Sequence, residues 1–186
     1  VEVLLEAAAP GDAGLLANLL ELYIHDLSQV FPVELGPDGR FGYEKLPCYW
    51  SEPDRRFPFL IACDGRPAGF VLVTRGVLPS NDPDVFDVAE FFVLRRYRRL
   101  GVARRAAFLA WDRFPGRWCV RVSDGNVDAL SFWARIVAEY TRGTGRVDAP
   151  GGAARLARVL ISERRRSSRP PNVVEPHDEE ETAAGS

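Results

Sequence analysis

Apolar residues recur at helical spacing in GDAGLLANLLELYIHDLSQ, where Leu15, Leu16, Leu19, Leu20, Tyr23, Ile24 and Leu27 share one side. Asp12 stands just ahead of them, where a helix N-cap belongs. The pattern then breaks. FPVELGPDGRFGYEKLPCYWSEPDRR interrupts its aromatics with Gly and Pro, which predicts a loop with one short helix. FPFLIACDGRPAGFVLVTRGV is two apolar runs around DGRP, a strong hairpin signal. After the turn-rich PSNDPD, FDVAEFFVLRR reads as a further strand, and a helix follows over about 101–114 until Pro115-Gly116 stops it.

Farther on, RWCVRVS alternates, with Trp118, Val120 and Val122 on one face of a strand. GNVDALSFWARIVAEY is an amphipathic helix with Asn126 as N-cap and Ala129, Leu130, Trp133, Ile136, Val137 and Tyr140 on its apolar side. YTRGTGRV and ARVLISER can make a terminal pair of strands. The order is helix, hairpin, strand, helix, strand, helix, strand. Such mixing in a short chain implies an α/β or α+β sheet with helices on its faces.

Composition narrows the class. At 186 residues and 46% hydrophobic, the chain can bury the core of one domain and is not a disordered protein. No run of about 18 apolar residues is present, so no membrane span is expected. The opening VEVLLEAAAPGD lacks a signal peptide's basic flank and apolar stretch, and the expected location is cytoplasmic. Cys48, Cys63 and Cys119 share no metal-ligand spacing with each other or with His25 and His177, so no metal site is expected. Cys63 and Cys119 sit in strand-like runs and read as buried, inert thiols.

The net charge of −2 hides an asymmetry. From Ser168 onward the chain carries −4, leaving +2 for the rest. The expected organisation is therefore one domain over 1–166 and an acidic, disordered tail over 167–186. A body charge that modest argues against a nucleic-acid-binding protein, which would show a broad basic face.

Charge concentrates in RRYRRLGVARRAAF, six arginines around Gly101 at the junction of a strand and a helix. A helix start presents open N–H groups and the positive end of the macrodipole, and glycine lets a ligand approach the backbone. Arg98, Arg99 and Arg104 can add charge-assisted contacts. A diphosphate fits this junction better than a DNA backbone does.

VLRRYRRLGVARRAA resembles the acyl-CoA-binding motif of the GNAT superfamily of N-acyltransferases: Arg or Gln, two residues, Gly, one residue, then Gly or Ala. Arg98, Gly101 and Ala103 hold those places. FFV leads into the motif, and NVDALSFW resembles the family's Asn, Ala, Phe-Tyr helix near the CoA arm. The resemblance implies a GNAT-like mixed, mostly antiparallel sheet flanked by helices on both faces. It also implies acetyl-CoA as co-substrate. The thioester would lie on the backbone of Phe91, Phe92 and Val93, and the pyrophosphate on the amides of Arg99, Leu100, Gly101, Val102, Ala103 and Arg104. Arg98, Asn126 and Trp133 join that cofactor set.

The implied reaction is direct attack of an amine on the thioester in a ternary complex. The acceptor would be a small-molecule or peptide amine, and the protein a monomer or homodimer without nucleic-acid or membrane partners. Glu90, on the motif strand, is the candidate general base; the structural alternative is a carboxylate that pairs with an arginine or faces solvent. His25 and Asp26 on the first helix, with Tyr43, Tyr49 and Trp50, are candidate acceptor contacts, or else ordinary helix and core residues. One departure stands out: Trp133 replaces the tyrosine that the family uses as general acid. An indole N–H donates hydrogen bonds but does not usefully protonate a thiolate. Two other readings remain open. One is a catalytically impaired GNAT-fold module that senses acyl-CoA; the other is nucleic-acid binding.

Overall fold

Asp64 and Gly65 take φ of 48° and 73°, the pair of left-handed residues that a tight two-residue hairpin turn requires. They join strands β2 (Arg56–Cys63) and β3 (Arg66–Arg75), which pair antiparallel along most of their length. The computed structural model describes residues 1–76, 82–123, 125–148 and 156–161. Within them the remaining elements are β1 (Val3–Ala7), α1 (Ala13–Leu27), α2 (Cys48–Ser51), β4 (Val85–Val93), α3 (Val102–Arg113), β5 (Arg117–Ser123), α4 (Val127–Tyr140), β6 (Arg146–Asp148) and β7 (Leu156–Ile161). The strands form a seven-stranded sheet in the order β1-β2-β3-β4-β5-β7-β6. Among the described residues only β4 and β5 pair in parallel.

The expected elements form, with additions. The N-terminal strand β1 was not anticipated, because VLLEA is short and runs directly into alanines. Asp12 holds the N-cap position of α1 as expected, but its side chain makes no capping bond: the carboxylate accepts the Ala9 N–H at 2.8 Å and closes a short 3-10 turn instead. Asn126 caps α4 as expected, accepting the Ala129 N–H at 3.1 Å. Cys63 and Cys119 are buried. The expected boundary at residue 166 and the acidic tail lie outside the described residues.

Two cores flank the sheet. On one face, Leu16, Leu19 and Leu20 of α1 and Tyr49 of α2 pack on Phe70, Leu72 and Phe92. On the other, Val102, Ala106, Ala110 and Trp111 of α3 and Trp133, Ile136 and Val137 of α4 cover Phe86, Val88, Val93, Trp118, Val120 and Val122. Full burial of such side chains contributes about 1.5–3 kcal/mol each.

Three features of β4 position its side chains and its backbone edge. The first is a bulge: Leu72 pairs with Glu90 but Val73 pairs with Val88, leaving Ala89 as the extra residue. One inserted residue reverses which side chains face which side. Phe86 and Val88 face α3 and α4 before it; after it Phe91 and Val93 do, and Phe92 turns to α1. Glu90 shares the α1 face. The second is a splay. Parallel pairing of β4 with β5 stops at Val88 and Val120, so residues 89–93 have no partner on that edge among the described residues. The third is the closeness of β3. A Cβ on Gly69 would lie 2.0 Å from the Phe92 carbonyl oxygen, so only glycine fits.

Candidate active site

The bulge sends Glu90 toward α1, where two tyrosines meet it. The Tyr23 hydroxyl donates to Oε2 at 2.6 Å and the Tyr43 hydroxyl to Oε1 at 3.0 Å. Tyr23 reaches it from α1, with its ring edge-on to Phe70 at 5.7 Å and tilted on Phe92 at 5.9 Å. Tyr43 reaches it from the α1–α2 loop, and Glu21 of α1 fixes that loop. The Glu21 carboxylate accepts the Phe41 N–H at 2.8 Å and the Gly42 N–H at 3.0 Å.

Burial pushes the Glu90 carboxyl above the ordinary carboxylate range. The bonds from Tyr23 and Tyr43 and the charge of Arg121 pull the other way, and Asp87 adds to the rise. A carboxylate whose pKa is raised holds an accepted proton more firmly than an ordinary one, as a general base requires. Burial and the Glu90 charge keep both tyrosines protonated, far above their ordinary titration. Arg121 of β5 and Asp87 of β4 form an ion pair across the parallel strands, with Nε to Oδ2 at 2.9 Å. Glu90 is therefore neither arginine-paired nor turned to solvent.

Where β4 and β5 part, a cleft of about 1290 Å³ opens, lined among others by Tyr23, Phe91, Phe92, Val93, Gly101 and Trp133. Val30 just beyond α1 and Gly125 before α4 approach each other along it: a Cβ on Gly125 would come within 3.0 Å of Val30. At one end lies the start of α3. Gly101 holds the N-cap position at φ 81° with no side chain capping the helix. A Cβ there would meet nothing within 4 Å, so backbone conformation, not space, calls for glycine. Arg99 is also left-handed, at φ 62°. Left-handed residues in such a loop turn successive N–H groups toward a common point, an anion-binding geometry. The Arg105 N–H bonds to the Gly101 carbonyl at 3.0 Å; amides ahead of that bond have no intrahelical acceptor.

The arginines are placed otherwise than as an open basic face. Arg98 donates through Nε to the Val93 carbonyl at 2.8 Å and through its terminal nitrogen to Asp26. Arg95 reaches the same carboxylate at 2.6 Å. Arg104 pairs with Glu139, Nε to carboxylate oxygens at 2.9 and 3.0 Å. All of these guanidiniums are substantially exposed, so a phosphate can exchange for the carboxylates at little desolvation cost.

The other expected residues divide. Trp133 is 6% exposed, edge-on to Phe91 at 5.0 Å, and forms cleft wall. Asn126 lines the cleft while capping α4. Leu100 is exposed and Val102 buried, so either can contribute only its backbone amide to an anion. Among the acceptor candidates only Tyr43 touches Glu90. Tyr49 is a core residue at 2% exposure, close to Tyr43. Trp50 is turned away, its indole N–H bonded to the Ala8 carbonyl at 3.1 Å. His25 is exposed beside Phe41, with ring centroids 6.4 Å apart. Tyr23, Glu21 and the Asp87–Arg121 pair were not anticipated as site residues, and Asp26, expected with His25 as an acceptor contact, is instead bonded to Arg95 and Arg98. Tyr23 and Asp26 lie i and i+3 on α1, a spacing that puts them on one face.

No cluster of metal-ligating side chains and no helix long and apolar enough to cross a membrane occurs among the described residues. No curated protein sequence matches the chain. Solved structures share the fold at low identity. An acetyltransferase from Thermus thermophilus superposes with TM-score 0.60 at 19% identity, covering 87% of this chain and 97% of its own. The diaminobutyrate acetyltransferase of Paenibacillus lautus, in complex with L-2,4-diaminobutyric acid and coenzyme A, gives TM-score 0.55 at 15% identity over 87% and 95%. The protein yncA of Salmonella typhimurium, with its cofactor acetyl-CoA, gives 0.60 at 9% over 89% and 96%. The model of the acetyltransferase (GNAT) family matches residues 16–137, which span both Glu90 and the glycine loop. With a splayed β4–β5 cleft between these two features, the chain belongs to the GNAT acetyltransferase family.

Proposed function

We propose that this protein is an N-acetyltransferase that moves an acetyl group from acetyl-CoA to an amine by direct attack in a ternary complex. The observation that carries this reading is the position of Glu90: half-buried, held by two tyrosine hydroxyls, and on the strand that lines the cleft. Acetyl-CoA fits the residues present. Its pyrophosphate would take the amides from Arg99 to Arg104, where two left-handed residues open the backbone and no side chain caps the helix. Its pantetheine arm would follow the unpaired edge of β4 past Phe91, Phe92 and Val93, walled by Trp133 and Asn126.

Glu90 then removes the proton from the attacking amine. An amine of ordinary pKa is protonated at neutral pH, so the rate depends on a group that accepts that proton before or during attack. The acceptor is a small-molecule or peptide amine reaching Glu90 between α1 and the Tyr43 loop. Three of the six arginines are held by carboxylates, which weakens the nucleic-acid reading further.

The test is thioester consumption with acetyl-CoA and a panel of ethanolamine, spermidine, free amino acids and a short peptide, with products identified by mass spectrometry. Turnover with one class of amine is the expected result. Tight acetyl-CoA binding without turnover on any amine would favour the non-catalytic sensor reading, to which the loss of the late-helix tyrosine at Trp133 gives its support. Duplex DNA binding with a steep salt slope and no acetyl-CoA binding would sink both.

A further inference from the structure

Direct attack leaves a thiolate that must gain a proton, and five tyrosines are present to supply it. Tyr140 donates its hydroxyl to Asp112 at 2.9 Å and Tyr49 is a core residue, neither lining the cleft. Tyr97 packs against the α3–α4 core. Tyr43 touches Glu90 from the loop side but does not border the cleft. Tyr23 does both: it lines the cleft with Phe91, Phe92 and Val93, and its hydroxyl lies 2.6 Å from Glu90. Trp133, at the cleft wall, has only an indole N–H.

We propose that the Tyr23 hydroxyl donates the proton to the leaving thiolate, passing on to sulfur the proton that Glu90 takes from the amine. This rests on the acetyl-transfer reading above. The amine first gives up its ammonium proton through Glu90 to solvent; the neutral nitrogen then bonds to the thioester carbonyl carbon, the C–S bond breaks, and its electron pair leaves on sulfur. The second nitrogen proton, lost as the amide forms, goes to Glu90. Tyr23 gives its O–H proton to sulfur and takes the Glu90 proton in exchange along their hydrogen bond. One proton has moved from nitrogen to sulfur, and both side chains end as they began. The order is built in, because after burial, the largest effect, the negative charge of Glu90 is the next force that suppresses ionisation of Tyr23. Once Glu90 is protonated that force is gone and the phenol becomes a better acid. Arg121 and Asp87, the ion pair across the parallel strands, also act on this site: Arg121 favours the anionic form of both groups, and Asp87 opposes that of Glu90.

The test compares Tyr23→Phe with wild type on two acyl donors, using the amine of the panel with the highest rate. The phenyl ring keeps the packing on Phe70 and Phe92, and calorimetry with acetyl-CoA checks that the variant is folded and binds normally. With acetyl-CoA, kcat should fall about 10²-fold, the scale of losing a positioned acid. With S-acetyl-4-nitrothiophenol, whose thiolate departs without a proton, the two proteins should converge. 3-Fluorotyrosine at position 23, which preserves shape and changes phenol acidity, should alter the acetyl-CoA rate alone. A readout independent of turnover is infrared titration of Glu90 in the protein without substrates. Losing the Tyr23 donor should move that carboxyl upward, since the bond favours its charged form. An equal loss on both donors would make Tyr23 a packing residue and overturn the relay while leaving the acetyltransferase intact, and an unmoved Glu90 titration would do the same. Wild-type protein inactive on every amine would remove the function, and the relay with it.

Discussion

The carboxylate of Asp26 on α1 accepts a hydrogen bond from the guanidinium of Arg98 in the loop ahead of α3, and Arg95 shares it. The helix that brings Tyr23 to Glu90 is thereby tied to the loop expected to hold the pyrophosphate. Burial works against ionisation of Asp26, yet the bonds from Arg98 and Arg95 hold its carboxyl below the usual range. A group depressed in this way contributes stability above its ordinary pKa and loses it as the pH falls through the folded value.

A phosphate arriving at Arg98 competes with Asp26. Asp26→Asn removes the competitor and a like charge, so acetyl-CoA should bind several-fold more tightly by calorimetry, by about 1 kcal/mol at this exposure. Thermal stability should fall slightly at neutral pH and match wild type in acid. Weaker binding in a folded variant would show that Asp26 serves to orient Arg98 and does not compete with the ligand.

Gly101→Asp sets a negative charge beside the open amides of α3 and forces a non-glycine residue to φ 81°. No atom blocks the added side chain, so the fold should survive. Acetyl-CoA affinity should drop by about 2 kcal/mol or more through lost charge-assisted bonds and repulsion. Gly101→Asn, which tolerates the left-handed region without charge, should lose much less. Equal binding by both variants and wild type would place the pyrophosphate elsewhere.

The hairpin at Asp64-Gly65 and the arginine–glycine loop were legible because each is local: a few adjacent residues carry the whole geometric demand. Glu90 was legible as the acidic residue on an apolar strand. Its surroundings were not. Phe86, Val88, Phe91 and Val93 are all apolar, so the change of face at Ala89 leaves no mark in the hydrophobic pattern. Tyr23 reads as an ordinary position of an amphipathic helix, and Asp26 as an acceptor contact or a solvated helix residue. Their partners lie 67 and 72 residues away along the chain, and only the folded sheet brings them together. Gly69 falls inside a strand-like run, where glycine signals a close backbone approach without saying to what.

That approach supplies a test of the strand itself. Gly69→Ala would put a methyl 2.0 Å from the Phe92 carbonyl oxygen, and the obstacle is backbone, not a flexible side chain. β3 and β4 must separate locally, at a cost of about 1–3 kcal/mol. Denaturant unfolding should show that loss. Turnover should fall as well, because the edge of β4 that would hold the thioester moves with it. A variant as stable as wild type would mean that the strands adjust more freely than their register suggests.

Glu90→Gln separates chemistry from stability at the same residue. Glutamine keeps the shape but cannot accept the amine proton, so turnover at pH 7 should fall by about 10²-fold or more. Acetyl-CoA affinity should hardly change, because no contact expected to hold it involves Glu90. The wild-type rate should have an acid limb above the ordinary carboxylate range, set by the half-buried Glu90, and the variant should lose that limb. Raising the pH should recover part of its rate as free amine accumulates. Stability should move the opposite way. Burial raises the Glu90 pKa in the folded protein, so between its ordinary and raised values the folded state holds a proton that the unfolded state has released. Folding stability therefore falls as pH rises through that window, and above it the ionised, half-buried carboxylate is a standing cost. Removing the charge should give Glu90→Gln a higher Tm than wild type at pH 7, with the difference shrinking as pH drops below the ordinary carboxylate value. A slower enzyme that is also more stable at neutral pH, and only there, is the signature of a base held ready at the expense of the fold. Wild-type turnover in the variant would make Glu90 a structural acceptor for Tyr23 and Tyr43, with water taking the amine proton.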